Sequence, residues 1–98
     1  MTAVLEFSTR LKQSERQVSC NLNEEVAILN LDKAVYFGLE GVGAHIWQSL
    51  EQPRSVGEIC QSITDEFEVA PAECQADVLK FLTQLQEAGL VETVDEGH

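Results

Sequence analysis

Between Gln17 and Leu39 the apolar and β-branched residues fall into short runs broken by polar pairs, the pattern of a small antiparallel sheet. Val18 to Leu22 reads as a first strand and Asn23-Glu24 as a tight turn. Glu25-Val26-Ala27-Ile28-Leu29-Asn30-Leu31 is almost continuously apolar, which predicts a central strand buried on both faces. Asp32-Lys33 makes the next turn, and Ala34-Val35-Tyr36-Phe37-Gly38-Leu39 returns as a third strand rich in aromatic and β-branched residues. No sequence-adjacent strand is left to cover the far side of that third strand.

After Leu39 the period lengthens. Val42, Ile46 and Leu50 recur every four residues with Trp47 widening the stripe, so a first helix is expected there. Gln52-Pro53-Arg54 ends it. Ser55 and Glu58 then form an S-x-x-E capping box, and Val56, Ile59, Cys60, Ile63 and Phe67 line one side of a second helix. Pro71 suits a first helical position, and Cys74, Val78, Phe81, Leu82 and Leu85 continue a third apolar stripe up to Gly89. Leu90 to Val94 alternates briefly, as either a terminal strand or a cover for the core.

The fold class expected is α+β and winged helix-turn-helix-like: a three-stranded antiparallel sheet followed by three helices. With 98 residues and no repeat or linker, residues 1–98 are expected to form one domain. Residues 1–14 have no clear period and read as a mobile arm or an extra edge strand, and residues 95–98 as a mobile tail.

Charge narrows the partners. Six Lys and Arg against seventeen Asp and Glu give a net charge of -11, which repels polyphosphates and anionic membranes, so neither nucleic acid nor membrane is expected as a ligand. Beyond Gln52 the basic residues are Arg54 and Lys80, too few for a row of phosphate contacts. The start of the chain lacks the basic and long apolar regions of a secretory signal, and Cys20, Cys60 and Cys74 form no C-x-x-C pair. Reduced cysteines in a cytoplasmic protein are the expectation, with Cys60 and Cys74 serving as small core hydrophobes.

Catalytic chemistry is poorly supplied. His45 is the one histidine before the terminal His98, with no nucleophile or carboxylate at a telling spacing, so no enzyme, metal site or cofactor is expected. Gly38, Gly41 and Gly43 miss both phosphate-loop patterns and read instead as a tight strand-to-helix junction.

From Glu25 to Val91 the chain resembles the PqqD-like leader-peptide recognition domains. The resemblance is carried by Leu29-Asn30-Leu31-Asp32, Tyr36-Phe37-Gly38-Leu39, Gly43 with Ile46-Trp47, Ser55-Val56 with Ile59, and Asp77-Val78 with Phe81-Leu82, Leu85 and Gly89-Leu90-Val91. Trp47, Leu50, Pro53-Arg54-Ser55-Val56 and Cys74-Gln75-Ala76-Asp77-Val78 look most like the stand-alone members of lasso-peptide pathways. The resemblance implies a non-catalytic protein that takes the leader of a ribosomally made precursor peptide as an extra β-strand along the third strand, in a groove bordered by the third helix. It implies a separate leader peptidase and a macrolactam-forming cyclase as further partners. Strand addition supplies backbone hydrogen bonds and neighbouring pockets supply discrimination. The peptide-binding residues expected on this reading are Val35, Tyr36, Phe37, Gly38 and Leu39 on the strand and Cys74, Asp77, Val78, Lys80 and Phe81 on the helix.

Two other classes share the pattern. A winged-helix transcription regulator would lay the third helix in a major groove, but Glu73, Asp77 and Glu87 there outnumber Lys80. An acidic adaptor for a folded basic protein is the other alternative.

Overall fold

The computed structural model describes residues 5–23 and 25–94. In chain order its elements are β1 (Arg10–Gln13), β2 (Gln17–Leu22), β3 (Glu25–Asn30), β4 (Tyr36–Glu40), α1 (Val42–Ser49), β5 (Arg54–Ser55), α2 (Val56–Glu66), α3 (Pro71–Glu87) and β6 (Val91–Thr93). The strands form two antiparallel sheets, ordered β2-β3-β4 and β5-β1-β6. The expected α+β arrangement of a three-stranded sheet and three helices is present, joined by the second sheet.

Local chemistry sets the helix ends. Ser55 Oγ accepts from the Glu58 amide at 3.1 Å while Glu58 Oε1 accepts from the Ser55 amide at 2.8 Å, closing the capping box read from the sequence. That backbone hydrogen bond is the main reason the Glu58 carboxyl lies below its usual range. Pro71 opens α3. Gly89 ends it at φ 75°, with Leu90 N–H donating to Leu85 O at 2.9 Å and Gly89 N–H to Gln86 O at 3.0 Å, a Schellman motif.

The N-terminal segment departs from expectation. Read as an arm or an edge strand, it supplies instead the middle strand of the second sheet, where β1 pairs with β5 on one side and β6 on the other. Leu11 is completely buried, Gln13 N–H donates to Leu50 O, and the amides of Val56 and Gly57 donate to Thr9 O and Phe7 O. A single buried leucine between Arg10 and Lys12 leaves no readable alternation, because four residues are too few to show a period. Leu90 to Val94, left open above, forms β6. The mobility expected of residues 1–4 and 95–98 concerns positions outside the described residues.

The central strand also differs. β3 lies between β2 and β4 as expected, but only Val26, Ile28 and Asn30 are buried, while Leu29 is 41% exposed. The described helices pack on one side of this sheet, so the apolar run in β3 has a core face and an open face. Register places Val18, Leu29 and Tyr36 in one row on the open face and Ile28 with Phe37 on the other.

Asn30 is, with Ser14, one of two buried polar residues among those described, and at 3% exposed the deeper of the pair. Its Nδ2 donates to Ala88 O at 3.0 Å and Gly89 O at 2.9 Å, and its Oδ1 accepts from the Asp32 and Lys33 amides, both at 2.8 Å. The β3-β4 turn is thereby fastened to the C-terminus of α3. Within that turn Ala34 takes φ 55°, a strained conformation for a residue with a Cβ. Outside it, Arg16 Nη2 donates to Asp32 Oδ1 at 2.8 Å, and this hydrogen bond holds the Asp32 carboxyl below its ordinary value.

Replacing Asn30 by Ala leaves two carbonyls and two amides without that partner, so urea unfolding should show a loss of about 2–4 kcal/mol. Asn30→Asp should be no milder at neutral pH, because its carboxylate would face the carbonyls of Ala88 and Gly89. The Asp32 and Lys33 amides on the retained oxygen favour the carboxylate, but protonating its other oxygen restores a donor to the Ala88 and Gly89 carbonyls, so this variant should regain stability as pH falls. A pH-independent loss would remove the proposed geometry.

Candidate functional site

β4 is an edge of its sheet. The Asn30 amide donates to Val35 O at 2.9 Å, and Ile28 is opposite Phe37 and Val26 opposite Leu39. Antiparallel ladders alternate, so the backbone groups of Phe37 and Leu39 turn toward β3 while those of Tyr36, Gly38 and Glu40 turn toward the open edge. Three residues thus present unpaired N–H and C=O groups in a row.

Beside this edge lies a groove of about 440 Å³. Gly38, Leu39 and Glu40 form its strand bank, Cys74, Asp77, Val78 and Phe81 of α3 the opposite bank, and Val42, Gly43, Ile46, Ile63 and Val69 the remaining wall. Gly43 has a specific reason to lack a side chain: a Cβ there would stand 3.5 Å from Phe81 Cζ and 3.8 Å from Leu39. Close approach of α1 to both banks follows.

The expected site residues divide. Gly38, Leu39, Cys74, Asp77, Val78 and Phe81 are brought together around the groove. Val35 belongs to the turn rather than the strand, and its carbonyl is used by Asn30. Tyr36 is 66% exposed on the opposite face of the sheet, Phe37 packs half-buried against the core, and Lys80 is exposed without lining the groove. Sequence reasoning missed Glu40 and the wall formed by Val42, Gly43, Ile46, Ile63 and Val69. Val42, Ile46 and Ile63 were legible as helix stripes, but a stripe looks the same whether it ends in core or at a groove floor.

The remaining reactive side chains are occupied structurally. Burial pushes the Cys60 thiol up to about 11, with Cys74 nearby adding to the rise, so it stays protonated at neutral pH. Cys74 Sγ lies 3.8 Å from Cys60 O. The structure does bring together one pair that the sequence did not reveal: His45 Nε2 and Ser62 Oγ are 2.7 Å apart. Yet the His45 ring stands edge-on to Phe67 at 5.5 Å, and among the described residues no carboxylate hydrogen-bonds it. Orientation by a third group, which a serine nucleophile and its base require, is missing there. Among the described residues no cluster of three or more His, Cys, Asp or Glu is placed to hold a metal, and no helix is long and apolar enough to cross a membrane.

The family model for coenzyme PQQ synthesis protein D (PqqD) matches residues 25–91. The chain belongs to the PqqD family. A PqqA binding protein from Gluconobacter oxydans (strain 621H), another protein to which it is similar, is 45% identical over 58 residues. That match takes in 58% of this chain, and the chain spans about 59% of the length of that relative. Among solved structures, TbiB1 in complex with the TbiA(beta) leader peptide superposes with a TM-score of 0.77 at 34% identity, over 89% of this chain and 96% of that one. Lasso peptide synthetase B1 complexed with the leader peptide gives a TM-score of 0.73 over 84% of this chain and 96% of that one, and at 22% identity it speaks for the shared PqqD-family fold.

Accessibility separates the three thiols of this PqqD-family chain. Cys20 is exposed, whereas Cys60 and Cys74 are buried. A chromogenic disulfide reagent should therefore titrate about one thiol in the native protein and about three in urea. Fast reaction of Cys60 or Cys74 in the folded state would contradict their placement.

Proposed function

We propose that this protein binds the leader segment of a ribosomally synthesised precursor peptide as an added strand on β4 and delivers it to separate processing enzymes. The observation that carries the reading is the open edge of Tyr36, Gly38 and Glu40 running beside an apolar groove. Two neighbours in fold, solved with leader peptides bound, support it.

The division of labour follows from magnitudes. Six outward backbone groups at about 0.5–1.5 kcal/mol net per hydrogen bond reach only the lower part of an association cost of about 4–15 kcal/mol. Apolar anchors are therefore required, each contributing about 1.5–3 kcal/mol when buried. Leu39, Val78 and Phe81 receive them. Cys74 adds a small apolar surface, and Asp77 offers a carboxylate at the rim.

The protein itself performs no chemistry on the peptide in this proposal. Leader cleavage and macrolactam formation belong to a separate peptidase and cyclase, and the three free cysteines suit a reducing, cytoplasmic setting. The alternatives of a DNA-binding regulator or a general acidic adaptor gain no support from the edge and groove.

Titration of labelled protein with its cognate leader peptide should shift amide signals in Tyr36–Glu40 and in residues 74–81. Gly38→Pro removes an outward amide at an edge position that tolerates proline, so binding should weaken at least about tenfold with the circular dichroism spectrum kept. Shifts confined to the β2 side of the sheet would move the site elsewhere.

Incubation of the purified protein with the precursor of that leader should leave its mass unchanged. Among the described residues, the closest approach to a catalytic pair is His45 with Ser62. A cleavage product that persists through repurification and vanishes in Ser62→Ala would overturn the non-catalytic assignment.

A further inference from the structure

The open edge carries an unbalanced electrostatic row. Glu25 and Glu40 are directly opposite each other in the β3-β4 register, and both are exposed. Like charges in that position repel. Glu40 also stands at the groove with Asp77 on the facing bank. Five of the six basic side chains are engaged elsewhere: Arg10 pairs with Glu58, on which Arg54 also acts, Lys12 pairs with Glu15 and Glu92, Arg16 with Asp32, and Lys33 Nζ donates to Glu87 O, while Lys80 is exposed on α3 and does not line the groove. Among the described residues no ion pair reaches Glu25, Glu40 or Asp77.

We infer that the bound leader carries a lysine or arginine at the position paired with Glu40, immediately next to a side chain that anchors in the groove. The inference rests on the strand-addition reading and adds the chemistry of the peptide it selects. Residues opposite one another share a face, so the leader residue beside Glu40 extends the row of Leu22, Glu25 and Glu40. Its immediate neighbours then fall on the Leu39 face, where the groove lies. A cation at the Glu40 position relieves the repulsion between two carboxylates of the protein itself. It also fixes register, because a slip of one residue would move the anchor out to solvent and the cation over the apolar wall.

The test is selection followed by a double-mutant cycle. A displayed library of random twelve-residue peptides is panned on the immobilised full chain, and the most enriched peptide is synthesised with Lys and with Gln at its basic position. Enriched sequences should share an apolar residue flanked by Lys or Arg. The Lys form should bind wild type about two- to five-fold tighter than the Gln form, the range of a cross-strand charge pair. Glu40→Gln should erase that difference, whereas Glu51→Gln, far from the groove, should keep it. Raising salt from about 0.05 M to about 0.5 M should shrink it. In the free protein Glu40→Gln should raise Tm, since it removes the repulsion with Glu25, a readout independent of peptide. Peptides enriched in apolar anchors without basic neighbours, or a Lys preference untouched by Glu40→Gln, would overturn this inference and leave strand addition standing. Absence of enrichment, with no amide shifts along β4, would sink the strand-addition reading and this inference with it.

Discussion

One side-chain amide fixes the separation of the two elements that matter most. Asn30 holds the β3-β4 turn on its oxygen and the last carbonyls of α3 on its nitrogen, so the start of β4 cannot move independently of the end of that helix. The requirement extends to Gly89, where a Cβ would lie 2.7 Å from Asn30 Nδ2 and where φ is 75°. Lys33 Nζ, donating to Glu87 O at 3.2 Å, adds an exposed contact across the same junction. With the strand and helix pinned at this end, the groove opens toward the other, between Leu39 and the Cys74 to Phe81 half of α3.

A second fastening lies on the far side of the helices. β1 joins β5 and β6, and its neighbours bind the end of α1 through Leu50 O and the start of α2 through the amides of Val56 and Gly57. Gln13 Nε2 also donates to Trp47 O at 2.9 Å. The helices are thereby tied to one another at their ends, and the β2-β3-β4 sheet keeps one face open and both β2 and β4 as edges. For the proposed strand addition, pre-organisation of this kind reduces the ordering that the protein itself must undergo.

How much of this was readable depended on range. The capping box at Ser55 and Glu58, the proline opening α3 and the glycine closing it are local devices, and each appeared where its residues implied. The strand order also followed, because hairpin turns join neighbours. Partnership across the chain was not readable: nothing in Arg10 to Gln13 announces pairing with residues some eighty positions away. Burial of one β3 face alone was hidden as well, since Leu29 and Leu31 look like core in a pattern of types. The outward amides of Tyr36, Gly38 and Glu40 required the β3-β4 register and its hydrogen-bonding phase, neither of which residue types reveal. At the groove, Ile46 and Ile63 are core as their period implied and Val42 packs against it, but that they also floor a groove was not readable from the period.

An unpaired strand beside an apolar groove is a hazard for any soluble protein, because it templates pairing with a second copy as readily as with a ligand. Here the hazard is met by charge. Two copies, each with a net charge of -11, repel as they approach, and Glu40 places part of that charge on the vulnerable edge itself. The same field does not oppose a short peptide of neutral or positive charge. On the strand-addition proposal, acidity therefore separates self-pairing from ligand pairing without closing the β4 edge. The cost is the repulsion between Glu25 and Glu40 in the free state, a small instability that the fold carries where a partner can remove it.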